Sequence, residues 1–217
     1  MSIKIQFATD FVCPYCFAAE LPLQQALEGR DNIEIELLPI ELTEISKEPV
    51  DTYHDEARKA KWAKDLVPFC EKIGLEGHFP PKVIPRPYTH LAWQGYHYAN
   101  ALGKGIPYAE AMYRAYFVDE KNIGDIDVLC EIAETLGMDS VDFRSTLELE
   151  TYSEFQTKAV AQTRSMGVEG VPTIWMNGIR LNGDMYTKEI FDYFLDLAES
   201  GENGAFAGGF GCGADGC

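Results

Sequence analysis

The sequence predicts an α/β protein whose strand–helix–strand start is interrupted by an all-helical block. Three observations carry this. Residues 3–8 and 32–40 alternate apolar and polar side chains around a helical run at 17–30, giving β, α and β in order. From about 50 to 165 the apolar positions keep helical spacing and no convincing strand occurs. Two short apolar runs then flank Asn177-Gly178, and one amphipathic helix follows. The pattern is βαβ, helices, ββα: an α/β core with a helical insertion.

Each element has a local reason. In IKIQFA, Ile3, Ile5 and Phe7 share one face. FAAELPLQQALEGR reads as a helix that Pro22 should bend and Gly29 should stop. In NIEIELLPI, Ile33, Ile35 and Leu37 oppose Glu34 and Glu36. DTYHDEARKAKWAKDLVPFCEKIGL is helical with Pro68 expected as a break. In PYTHLAWQGYHYANALGK, residues Tyr88, Leu91, Ala92, Tyr96, Ala99 and Leu102 keep helical spacing. PYAEAMYRAYFVDE and DIDVLCEIAETLG are two further amphipathic helices. Asp139 opens the next with an acidic first turn, and TYSEFQTKAVAQTRSMG ends the block at Gly167. The closing helix puts Ile190, Phe194 and Leu197 on one face.

The chain has 217 residues, 46% of them hydrophobic, with formal net charge -17 and pI near 4.5. An excess of acidic groups repels nucleic acid and anionic lipid alike. No apolar run approaches the ~18 residues of a membrane span. The opening MSIKIQFATDF alternates like a strand and lacks the apolar core of a signal peptide, so a reducing cytoplasm is expected. There, six cysteines point to catalysis, metal binding or inert burial before a disulfide framework.

Two of the six form Cys13-Pro14-Tyr15-Cys16, at the junction of the first strand and first helix. A helix start presents unpaired N–H groups and the positive end of the macrodipole, which favour a thiolate at Cys13. Pro14 fits the first turn because its missing N–H is not needed there. Cys16, one turn on, can attack a mixed disulfide on Cys13 and release the substrate. Spacing alone also fits half a zinc knuckle or a buried pair.

The second signal is Val171-Pro172-Thr173, just before the hairpin. From sequence it reads as an edge-strand proline or a cis-proline. With CPYC, PRPYTHLAW, AYFVDEKNIGDIDVLCEIAETLGM and GVEGVPT, the chain resembles the DsbA-like thioredoxin-fold family over most of residues 1–199. It is most similar to the cytosolic, FrnE-like branch related to 2-hydroxychromene-2-carboxylate isomerase. The resemblance implies a thioredoxin-like domain at 1–43 and 160–199, a helical insertion at 44–159 and a tail at 200–217. It implies that Pro172 is a cis-proline beside the cysteines. Pro14, Tyr15, Val171 and Pro172 would then contact substrate, with Val171 offering its backbone to an extended chain.

The implied activity is thiol–disulfide exchange on protein or small disulfides, Cys13 attacking and Cys16 resolving. Glutathione or a reductase would serve as electron partner, with no bound cofactor and no metal. The isomerases and kappa-class transferases of the fold usually carry serine at position 13, so two cysteines favour redox exchange. Periplasmic oxidants typically carry histidine where Tyr15 stands. Tyr15 supplies no charge, so an intermediate potential is expected. A glutathione-dependent isomerase or transferase, and a cysteine-based metal- or partner-binding module, are the alternatives.

Cys70 and Cys130 lie in amphipathic helices and read as small core residues. The tail GENGAFAGGFGCGADGC carries Cys212 and Cys217, as cysteines of little consequence in a flexible tail, as a relay dithiol for Cys13 and Cys16, or as half of a four-thiolate metal set. A flexible tail of about 17 residues reaches about 20–25 Å. His90 and His97 share a helix face but lie two turns apart, too far to bind one metal unaided.

Overall fold

The computed structural model describes residues 2–200 apart from 182 and 184. Strand β1 (Ile3–Thr9) leads through a short loop into α1 (Pro14–Leu27) and then β2 (Ile33–Pro39). Six helices follow: α2 (Glu56–Ile73), α3 (His90–Ala101), α4 (Gly105–Phe117), α5 (Ile126–Thr135), α6 (Ser140–Glu148) and α7 (Ser153–Ser165). The chain closes with β3 (Thr173–Met176), β4 (Ile179–Arg180) and α8 (Lys188–Ser200).

The sheet order is β2-β1-β3-β4. β1 and β2 are parallel, joined by α1, and β3 runs antiparallel to β1. The β3–β4 hairpin turns at Asn177 and Gly178, both at positive φ (47° and 81°), as the Asn-Gly pair demands. The α/β core with its helical insertion is thus the architecture the sequence implied. The expected boundary at residue 160 falls inside α7.

Two local expectations are corrected. Pro68 does not break α2, which runs unbroken from Glu56 to Ile73. Pro68 is exposed, and the helix is held from the other side, where Trp62, Leu66 and Cys70 pack against Ala18 of α1. Pro22 lies inside α1, where the sequence places it. In α8 the buried stripe is centred on Phe191 and Leu195; Ile190 and Phe194 flank it half-buried. The alternation of apolar residues there satisfies two adjacent stripes, and only packing chooses between them.

Some of the acidic residues cap helix starts. Asp55, Asp125 and Asp139 accept first-turn N–H groups of α2, α5 and α6. The insertion meets the sheet layer through rings. Phe11 stacks on Trp93 of α3 at 4.2 Å between centroids, and Phe17 of α1 stacks on Phe117 of α4 at 5.0 Å. Tyr113 of α4 lies between them, 5.7 Å from Phe11 and 5.9 Å from Phe17. The segment carrying the two cysteines is therefore clamped on both sides by the insertion's aromatic core.

Candidate active site

The site forms where β1 ends. Cys13 caps α1 in an extended conformation (φ −90°, ψ 113°), and Pro14 opens the helix. The Cys13 N–H donates to the Asp10 carbonyl at 3.0 Å, which turns the chain into α1. The Cys16 N–H donates to Cys13 Sγ at 3.3 Å, so a first-turn donor of the helix is spent on this sulfur. As a thiol, Cys13 donates to the Val171 carbonyl at 3.5 Å.

Sheet register explains that last contact. Ala8 pairs with Thr173, so the two residues preceding β3 lie beside the β1–α1 loop. The Val171–Pro172 peptide bond is cis. The structure thus brings Cys13, Pro14, Cys16, Val171 and Pro172 together from opposite ends of the chain. Tyr15 instead leans half-buried towards α2, packing on the cluster of Trp62, Leu66 and Cys70.

The two cysteines differ in access. Cys13 is 3% exposed and Cys16 is 0% exposed. Burial, then the hydrogen bond to the Cys13 sulfur, pushes the Cys16 thiol well above its ordinary value. The Thr9 hydroxyl and the Asp10 backbone pull it back. Thr9 Oγ1 is in turn hydrogen-bonded to the Tyr113 hydroxyl. Thr9 Oγ1 therefore stands between the Cys16 sulfur and the Tyr113 hydroxyl.

Three charged groups near the cysteines carried no role in the sequence reading. Asp10, fully buried, accepts the Leu42 N–H at 2.7 Å. Burial lifts its carboxyl to about 7, against the pull of Leu42, the Thr89 hydroxyl and Arg86. Burial lowers the Arg86 guanidinium below its ordinary value, opposed by Asp10, Tyr116 and Cys13. Glu20, one turn after Cys16, is lifted to about 8 by burial and by Glu110. Gln24 Nε2 donates to both carboxylates, at 2.9 Å to Glu20 and 2.6 Å to Glu110. A cavity of about 40 Å³ lined by Phe7, Glu20, Gln24, Glu110 and Tyr113 lies beneath. Asp10 had a local signal, lying three residues before the first cysteine. Arg86 had only an arginine between two prolines.

The remaining candidates lie elsewhere. Cys70 and Cys130 are free and buried in separate packing clusters, so they do not pair. His90 and His97 belong to a polar network. His90 contacts Glu41 Oε1 and Ser153 Oγ, both at 2.9 Å, while Gln156 bridges His97 Nε2 and Glu41 Oε1, both at 2.8 Å. This matches the satisfied role expected of them. Cys212 and Cys217 fall outside the described residues. Among the described residues no group of His, Cys, Asp and Glu is placed to hold a metal ion, and no helix is long and apolar enough to cross a membrane.

Comparison with known proteins agrees with this geometry. Residues 4–191 match the model of the DSBA-like thioredoxin domain. The uncharacterized protein YwbO of Bacillus subtilis is 34% identical over 197 residues, covering 88% of this chain and 98% of its own. A probable DsbA oxidoreductase of Streptomyces coelicolor superposes with a TM-score of 0.75 at 22% identity, over 99% of this chain and 98% of that one. The cytosolic disulfide reductase DsbM of Pseudomonas aeruginosa, solved with GSH, gives 0.70 at 17% identity over 91% and 99%. With the family matched across most of its length, and a full-length relative above 30% identity, this chain belongs to the DSBA-like thioredoxin domain family.

Proposed function

We propose that the protein is a thiol–disulfide oxidoreductase of the reductase or isomerase type, using Cys13 and Cys16 as its redox pair. The observation that carries this is the placement of both cysteines at the start of α1, with Cys13 Sγ against the Val171 carbonyl and Cys16 N–H on Cys13 Sγ. Attack is assigned to Cys13, at the helix cap. Cys16, held as a thiol by burial, stands one helical turn behind. In-line attack by the Cys13 thiolate expels one substrate sulfur and forms a mixed disulfide. Cys16 then gives up its proton, attacks Cys13 Sγ, and expels the second substrate sulfur as a thiol. The substrate disulfide is reduced and the Cys13–Cys16 pair oxidised; an external thiol returns the two electrons.

Val171 and Pro172 fit the role of substrate platform. Proline has no N–H to compete for the sulfurs, and the Val171 carbonyl faces the reacting atom, where an extended peptide would pair. In this reading Pro14, buried, and Tyr15, half-buried, flank the reacting sulfurs as the remaining substrate contacts. Glutathione suits the return of electrons, as DsbM has been solved with GSH. The cytoplasm suits a chain with this cysteine usage and a cytosolic structural neighbour. The division into 1–43 with 160–199 around 44–159 follows the same reading.

The test is turnover of insulin disulfides and of glutathione disulfide by wild type, Cys13→Ser and Cys16→Ser. Both single variants should lose turnover. Glutathione-dependent activity that survives Cys16→Ser would favour an isomerase or transferase instead. Stoichiometric zinc with unreactive thiols would favour a binding module. For Cys212 and Cys217, truncation after Ser200 tests the relay: unchanged turnover with every reductant rejects it.

A further inference from the structure

The stretch PRPYTHLAW has a sequence signature and, so far, no chemistry. Its Arg86 reaches back to the dithiol. The Arg86 N–H donates to the Val50 carbonyl at 2.8 Å, and flanking Pro85 and Pro87 restrict the backbone. Nη2 donates to Thr43 Oγ1 at 2.5 Å and to the Leu42 carbonyl at 3.4 Å. The Leu42 N–H is held by Asp10 Oδ2, and the Asp10 carbonyl holds the Cys13 N–H. Leu42 therefore ties the cation on one side to the carboxyl and the nucleophile's loop on the other. Arg86 Nε is buried and donates to no protein atom among the described residues.

Few charges compete for this guanidinium. Asp10, Tyr116, Arg58 and Cys13 contribute to the electrostatics of Arg86, and Arg86 and Glu41 to those of Asp10. Burial lifts the Tyr116 phenol to about 12, which keeps it neutral. Arg58 is occupied by Asp55 at 3.5 Å, and Glu41 by His90 and Gln156. Two groups are left that can present an anion: the Asp10 carboxylate and the Cys13 thiolate.

We propose that Arg86 is the positioning cation of the dithiol, shared between Asp10 and the Cys13 thiolate, and that this sharing sets the reduction potential. The inference rests on the oxidoreductase reading. Reduction of the Cys13–Cys16 disulfide by two glutathione thiols yields one glutathione disulfide and two protein thiols. When Cys13 gives up its proton as the nucleophile, the reduced form carries an anion beside the Asp10–Leu42–Arg86 link that the oxidised form lacks. Removing the cation must favour the disulfide, and removing the competing Asp10 charge must favour the dithiol. Tyr15, the neutral residue between the cysteines, takes no part.

The test is the equilibrium of the full chain with glutathione redox buffers, for wild type, Arg86→Met, Arg86→Lys and Asp10→Asn. Arg86→Met should shift the equilibrium about tenfold towards the disulfide, which is about 30 mV more reducing. Arg86→Lys should recover most of that shift, and Asp10→Asn should move it the opposite way. Should Arg86→Met fail to fold, the shift of Asp10→Asn towards the dithiol relative to wild type carries the test. A purely structural Arg86 would lower urea midpoints in every variant and leave the equilibrium within twofold of wild type; that result, or shifts of one sign for Arg86→Met and Asp10→Asn, overturns the proposal. Absence of exchange with glutathione in the wild type would sink the oxidoreductase reading itself, and this inference with it.

Discussion

Replacing Tyr113 by Phe should cost far more than the loss of one oxygen suggests. The ring keeps its place, so the contacts with Phe11 and Phe17 survive. What goes is the hydrogen bond to Thr9 Oγ1, in a spot where Tyr113 is 2% exposed and Thr9 is 0% exposed. Both residues are buried, and Thr9 loses this partner and keeps only Cys16, at a cost of about 1–3 kcal/mol. Thr9→Val removes the other half of the pair at nearly constant shape and orphans the Tyr113 hydroxyl at a similar cost. The double variant orphans neither. Its destabilisation should lie near that of one single variant, giving a coupling energy of about 1–2 kcal/mol. Urea denaturation of the reduced proteins measures this; each single variant should lose about 1 M in midpoint for a typical slope of ~2 kcal/mol/M. A double variant that loses the plain sum of the singles would show that the two hydroxyls are not partners.

Two further perturbations follow from packing and charge. Gly95 of α3 lies where an added Cβ would meet the Tyr108 hydroxyl oxygen at 2.2 Å and Phe143 Cζ at 2.8 Å, so Gly95→Ala should destabilise by about 1–3 kcal/mol through overpacking between α3, α4 and α6; a neutral thermal melt would contradict that packing. Burial and Glu110 raise the Glu20 carboxyl from 4.5 to about 8, so the folded state holds an extra proton between those values. Its contribution to stability is present in full below pH 4.5 and is lost as pH rises through 8, at no more than about 1.4 kcal/mol per pH unit. Glu20→Gln should therefore gain on wild type steadily from pH 5 to 8 in urea midpoint. A constant difference across that range would refute the shift.

How much of this could be read from the chain depends on how local each signal is. The β1–CPYC–α1–β2 unit was legible because strand period, proline position and cysteine spacing all fall within one stretch of residues. The Asn177-Gly178 hairpin was legible for the same reason: φ > 0 at both positions is a demand the residue types announce. Pro68 misled because a helix can run through a proline when its packed face holds it, and only the fold shows Trp62, Leu66 and Cys70 packed against α1. The α8 stripe was misplaced because Ile190-Phe191 and Phe194-Leu195 offer two adjacent faces of equal apolarity. Arg86 was invisible as a site residue. Nothing local ties it to Cys13, and only the fold carries the segment between Pro85 and Pro87 onto Leu42. Tyr113 was equally hidden, since its helical spacing marks it as core and its hydroxyl partner lies in β1.

Trapping the first covalent intermediate asks the most of the proposed chemistry. The chain would carry Cys16→Ala, with Cys212→Ser and Cys217→Ser to silence the tail, and would be mixed with glutathione disulfide. Intact mass and peptide mapping should find one glutathionyl group, on Cys13, persisting until an external thiol is added. With Cys16 restored, the same adduct should fail to accumulate. A group on Cys70 or Cys130 with Cys13 untouched, or no adduct at all, would mean that the sulfur capping α1 is not the nucleophile.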